Sequence, residues 1–145
     1  YTIYVGSKHE GEMFKEFSKI QEEAHKNGLL VIVWMYPRGE NIKNEFDRDT
    51  LAYSARIALE LGADFVKMKY NHNQEDLKWI VKSAGKTNVL IAGGSKESDE
   101  ELLEEVKEVI EAGASGLAIG RNIWQRENPY EMIEKLKEIV FKWKL

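Results

Sequence analysis

Residues 62–71, GADFVKMKYN, decide how this chain is read. Asp64–Tyr70 has the length and apolar character of a strand, yet it carries Lys67 and Lys69. Burying a lysine without a partner is costly. Residues two apart lie on the same side of a pleated backbone, so both ammonium groups point one way. The joint before this strand, LELGADFVKMK at 59–69, is echoed by VIEAGASGLAIG at 109–120. In each, a helical pattern ends on glycine and alanine and a strand follows, a weak internal repeat of a βα unit.

Working outward, strand and helix alternate five times. Short apolar runs at Thr2–Val5, Leu29–Tyr36, Asp64–Tyr70, Asn88–Ala92 and Gly116–Ile119 read as strands. The helices between them carry one apolar face each: Met13, Phe14, Phe17, Ile20 and Ala24; then Leu51, Ala55, Ala58 and Leu59; then Leu77, Ile80, Val81 and Ala84. Gly28 closes the first helix. Asn73 caps the third, and SDEE at 98–101 is a capping box for the fourth. The last helix, within ENPYEMIEKLKEIVFKWK at 127–144, has Asn128 as cap and Pro129 at its first position.

Strict βα alternation implies parallel strands with right-handed crossovers, an α/β fold. The unbroken LLVIVW at 29–34 predicts a strand buried on both faces. Two architectures fit: a doubly wound sheet, or part of a (β/α)8 barrel. Trp34 with Tyr36, and Lys67 with Lys69, send polar and aromatic groups to one side near strand ends, which favours the barrel. Five units cannot close eight strands. With YTIYVG opening the chain directly on a strand, the expectation is a single domain, 1–145, forming strands four to eight of such a barrel with their helices. Its two edge strands would then be unpaired, an invitation to association.

The composition excludes several functions. The chain has 145 residues, 43% hydrophobic and 32% charged, with a net charge of −4, which fits a globular domain. No basic face stands out, so no nucleic-acid partner is expected. No apolar run reaches a membrane span's roughly 18 residues, so no membrane partner is expected. Cysteine is absent, which removes disulfides and thiolate chemistry and suits a cytoplasmic setting. His9, His25 and His72 lack ligand spacing, and NHNQED at 71–76 lacks the order of a calcium loop, so no metal site is expected.

Three stretches can carry chemistry. On the barrel reading, Lys67 points inward, and burial lowers its pKa. Lys69, about 7 Å along the same face, adds cationic repulsion in the same sense. A neutral amine suits a Schiff-base nucleophile. The pattern taken alone favours a lysine that snorkels to solvent or pairs with Asp64 or a glutamate. In WMYPRG at 34–39, Tyr36 can exchange a proton, Trp34 can wall a pocket and Arg38 can hold a phosphate; an aromatic core strand ending in a turn explains it as well. AGGSK at 92–96 and AIGRN at 118–122 put Gly93, Gly94, Gly120 and Arg121 at the last two strand ends, where glycine backbones admit a phosphate and a helix N-terminus beyond adds positive potential. Tight turns explain either stretch alone.

VGSKHE, WMYPRG, AYSARIALELGADFVKMKY, AGGSK and GASGLAIGRNIWQRENP occur in this order across essentially the whole chain. Together they resemble the archaeal-type class I aldolases: archaeal fructose-1,6-bisphosphate aldolase, aminodideoxy-heptulosonate synthase and a thiolase of phosphorylated quorum signals. The resemblance implies a (β/α)8 barrel with its Schiff-base lysine, here Lys67, on the sixth strand. It implies Tyr36 as acid/base, Trp34, Lys69 and Arg38 at the substrate, and Gly93, Gly94, Gly120 and Arg121 at phosphate. It implies a phosphorylated sugar as substrate, no cofactor and no metal, a homo-oligomer, and roles in glycolysis, gluconeogenesis or aromatic amino acid biosynthesis. The family also uses an aspartate near the end of its first strand, expected to lie before Tyr1. A half-barrel without catalysis, associating through open edges, is the other reading.

Overall fold

A computed structural model describes residues 1–142. Five strands, β1 (Thr2–Val5), β2 (Ile32–Pro37), β3 (Phe65–Met68), β4 (Asn88–Ala92) and β5 (Gly116–Ala118), alternate with helices α1 (Glu10–Lys26), α2 (Arg48–Glu60), α3 (Gln74–Ala84) and α4 (Asp99–Glu111). After β5 come a single turn, α5 (Arg121–Trp124), and a final helix, α6 (Pro129–Lys142). Trp143 and Lys144, read in sequence as part of that last helix, lie outside the described residues.

All pairings are parallel, and the strand order is β1-β2-β3-β4-β5. That order decides between the two architectures. A doubly wound sheet reverses direction at a switch point, whereas sequential order with right-handed crossovers puts every helix on one face. The burial pattern agrees. Ile3, Val5, Val33, Met35, Val66, Met68, Val89 and Ile91 are almost fully buried in one cluster with the apolar faces of α1, α2, α3 and α4. Burying each such side chain is worth about 1.5–3 kcal/mol. A second cluster, Leu102, Val106, Ile110, Met132 and Leu136, packs α6 on α4.

Among the described residues, no helix covers the opposite face of the sheet. Tyr4, Ile32 and Trp34 there are each about 40% exposed. This corrects the reading of LLVIVW as buried on both sides. Val31 and Val33 are buried, while Leu29 and Leu30 are exposed and precede the strand. The Leu29 N–H is still donated to the Ala24 carbonyl, so this part of the apolar run serves the end of α1, where Gly28 turns the chain at φ +71°. Ile20, expected inward on α1, is exposed.

The capping expectations hold. The Asn73 side chain accepts from Asp76 N–H, Ser98 and Glu101 form a reciprocal capping box, and Asn128 accepts from Glu131 N–H. The cap of α2 is Asp47, accepting from Thr50 N–H.

Candidate active site

The register fixes which side chains meet on the open face. Thr2 pairs with Trp34, Trp34 with Lys67, Lys67 with Leu90, and Leu90 with Gly116, one row across the sheet. Tyr36, opposite Tyr4, stands one pleat nearer the strand C-terminal ends. The Lys67 ammonium lies 3.9 Å from the centroid of the Trp34 ring. Among the described residues it has no carboxylate partner. Burial alone lowers its pKa below the ordinary 10.5. The Trp34 face favours the ammonium, but a half-exposed cation–π contact is worth only about 0.5–1 kcal/mol. Tyr36 shifts the other way: burial raises its phenol above 10.0, against the pull of Arg38, whose guanidinium stands 5.7 Å from the Tyr36 ring centroid. A depressed amine and an elevated phenol on one face form a pair suited to covalent attack and proton transfer.

Lys69 behaves differently. Its ammonium donates to Glu45 Oε1 at 2.6 Å, and Arg38 Nε donates to Glu45 Oε2 at 3.2 Å. The expected repulsion from Lys69 is not what lowers Lys67: desolvation is the cause, and the Lys69 charge is met by Glu45.

Beyond the strand ends lies a cleft of about 350 Å³, bordered by Arg38, Lys69, Gly93, Gly94 and Arg121. The structure thus brings five of the nine anticipated site residues around one space; Lys67, Trp34 and Tyr36 stand on the open sheet face and are not part of its lining. Gly120 instead supports the Trp124 ring: a Cβ there would lie 2.2 Å from that ring. Gly93 lies against Ile119, whose Cγ2 a Cβ would approach to 2.7 Å, whereas nothing lies within 4 Å of a Cβ at Gly94. His72 and Glu105, paired at 2.9 Å, also border the cleft, and burial raises the Glu105 carboxyl.

The helix N-termini anticipated beyond the two loops differ. After the second loop α5 starts directly at Gly120, its N-cap, but is one turn long. After the first, α4 begins only at Asp99, the Glu101 N–H of its first turn is taken by the Ser98 cap, and that turn carries Asp99, Glu100 and Glu101. What joins the two glycine loops is Asn122, 2% exposed: its side chain donates to Ser95 O at 3.1 Å and accepts from Glu97 N–H at 2.9 Å. Arg126 adds bonds to Asp99 and to the carbonyls of Asn122 and Glu97. Sequence reasoning missed Glu45, Asn122 and Arg126. Each acts across more than twenty residues of chain or within an unmarked loop, and neither periodicity nor turn chemistry signals that. Among the described residues, no cluster of three or more His, Asp or Glu could hold a metal ion, and no helix is long and apolar enough to cross a membrane.

Residues 1–126 match the family model described as "DeoC/LacD family aldolase". The chain belongs to that family. It is 50% identical over 141 residues to the class 1 fructose-bisphosphate aldolase of Halobacterium salinarum, covering 97% of this chain and 54% of that protein. It is 47% identical over 142 residues to the corresponding enzyme of Thermoproteus tenax, with the same coverage of 97% and 54%. Among solved structures it matches an archaeal fructose-1,6-bisphosphate aldolase with its catalytic lysine covalently bound to the carbinolamine intermediate of the substrate. That match has a TM-score of 0.91 at 46% identity, covering 97% of this chain and 56% of that one. The chain spans about half the length of the aldolases it matches, and its parallel five-stranded sheet corresponds to part of an aldolase barrel.

Proposed function

We propose that this chain is the Schiff-base half of a class I aldolase acting on a ketose phosphate such as fructose 1,6-bisphosphate, and that its five strands are strands four to eight of the barrel. The observation that carries the reading is Lys67: a half-buried amine of lowered pKa, without a carboxylate partner among the described residues, on the open sheet face of a fold whose strand ends carry a cleft bordered by two glycines and three cations. The similarity to archaeal aldolases over nearly the whole chain supports it.

In this mechanism the neutral Lys67 amine attacks the ketone carbon. A C–N bond forms, and the oxygen takes a proton to give a carbinolamine. Loss of water leaves an iminium. The β-hydroxyl gives up its proton as the Cα–Cβ bond breaks; the electron pair of that bond passes into the iminium to give an enamine, and the β carbon departs as the aldehyde. Protonation of the enamine at Cα and hydrolysis of the resulting iminium then release the other half and the amine. Tyr36, whose phenol burial raises above its ordinary value, relays the protons. Trp34 walls the reacting carbon. Arg38, Gly93, Gly94 and Arg121, which border the cleft, receive the phosphorylated ends. A phosphorylated substrate and a cysteine-free chain are consistent with a cytoplasmic enzyme.

The test is cleavage of fructose 1,6-bisphosphate by the full-length protein. Lys67→Met is expected to abolish turnover, and Tyr36→Phe to lower kcat by about 10²–10⁴. Retention of native kcat in Lys67→Met would refute the assignment.

A further inference from the structure

Lys67 on β3 and Lys69 just beyond its end lie two residues apart, and a Schiff-base site needs only one nucleophile. Their surroundings differ in one respect that the structure makes plain. Lys67 sits over the Trp34 ring, with no carboxylate partner among the described residues. Lys69, with its side chain 21% exposed, donates to Glu45 at 2.6 Å and lies 4.8 Å from the centroid of the Phe46 ring. Glu45 is held below the usual carboxylate range, chiefly by the Lys69 hydrogen bond and then by Arg38. An ammonium donated to a carboxylate has no lone pair to offer a carbonyl.

Glu45 belongs to the loop between β2 and α2, and the base of that loop is pinned. The Arg38 N–H is donated to Val5 O at 2.9 Å, and Gly39 lies so close to Gly6 that a Cβ would stand 2.3 Å from the Gly6 carbonyl oxygen. The loop's far end is closed by the Asp47 cap of α2. Between these anchors, Glu45 and Phe46 are brought to Lys69. The other charged groups around this space are Arg38, His72, Glu97, Glu105 and Arg121; among them His72 is paired with Glu105, and Arg38 with Glu45 itself.

Resting on the Schiff-base reading above, we infer that Glu45 is the positioning residue that selects the nucleophile: by ion-pairing Lys69 it withholds that amine from the substrate and leaves Lys67 as the one that reacts. Without the Glu45 carboxylate the Lys69 side chain is no longer held away from the substrate, and its amine attacks the same ketone. A C–N bond forms, water leaves, and the resulting iminium is reducible to a stable secondary amine by hydride from borohydride.

The experiment traps the full-length protein with dihydroxyacetone phosphate and sodium borohydride and maps the adduct by peptide mass. The native protein is expected to carry label on Lys67 alone, and Lys67→Ala none. Glu45→Gln is expected to raise Lys69 labelling roughly tenfold, the scale of one charge-assisted hydrogen bond. Glu45→Gln combined with Lys67→Ala is expected to label Lys69, and Glu45→Asp to restore labelling of Lys67 alone. A purely structural role for Glu45 would lower total labelling without moving it. Label confined to Lys67 in Glu45→Gln, with none in the double variant, overturns the inference while leaving the Schiff-base reading intact. Label on Lys69 in the native protein also overturns it. A native protein that takes no label overturns the Schiff-base reading and this inference together.

Discussion

At the scale of single residues, the account rests on opposite shifts in two side chains of one sheet face. Burial disfavours charge in both: it lowers the Lys67 ammonium and raises the Tyr36 phenol. The amine must be neutral to attack, so lowering its pKa brings the reactive form to lower pH. The rate of imine formation should therefore rise with pH and level off at a midpoint below the 10.5 of an ordinary lysine, while Tyr36 is still protonated. A pH–rate profile of single-turnover adduct formation checks this, and a midpoint at or above 10.5 would contradict it. Lys67 was legible in sequence because two lysines in an apolar run demand a reason. Which partner each lysine has was not. Glu45 lies twenty-four residues from Lys69 in the chain, and only the folded loop makes them neighbours.

At the scale of elements, the glycines of the strand-end loops separate by what surrounds them. Gly94 has open space where a Cβ would go, so Gly94→Ala should leave stability within about 0.5 kcal/mol of native, as substitutions away from packed features do. If the phosphate approaches that backbone, the same variant should raise KM severalfold with kcat little changed. Gly39 is the contrast. Its added Cβ would meet the Gly6 backbone at 2.3 Å, which cannot rotate away, so Gly39→Ala should cost about 1–3 kcal/mol by urea denaturation. Asn122→Ala should cost a similar 1–3 kcal/mol, since it leaves the Glu97 N–H without its acceptor in a partly buried place. Turn chemistry made the glycine loops visible in the sequence, and the caps Asn73, Ser98 and Asn128 were read from local pattern alone. Strand ends were harder. β2 begins at Ile32 rather than Leu29 because the helix end claims Leu29, and β3 stops at Met68, just before Lys69 reaches across to Glu45. The bond from Asn122 between two loops leaves no periodic trace.

At the scale of the whole molecule, sequential strand order and one-sided helices make this an open sheet with apolar and aromatic groups on its uncovered face. Alternation of strand and helix was readable from apolar periodicity. The bareness of one face was not, because a strand facing an uncovered surface and one facing a barrel interior carry the same residues. Tyr4, Ile32 and Trp34 on that face, with β1 and β5 as unpaired edges, predict that residues 1–145 produced alone associate in solution. Light scattering across a concentration series measures this, and a monomer at all concentrations would contradict it. The central claim, that Lys67 forms the Schiff base, is tested most directly by borohydride reduction of the full-length protein in the presence of fructose 1,6-bisphosphate, followed by intact and peptide mass analysis. The account predicts one stoichiometric adduct on the peptide containing Lys67, lost in Lys67→Ala. An adduct that persists in Lys67→Ala while Glu45 is intact, or no adduct in the native protein, would contradict it.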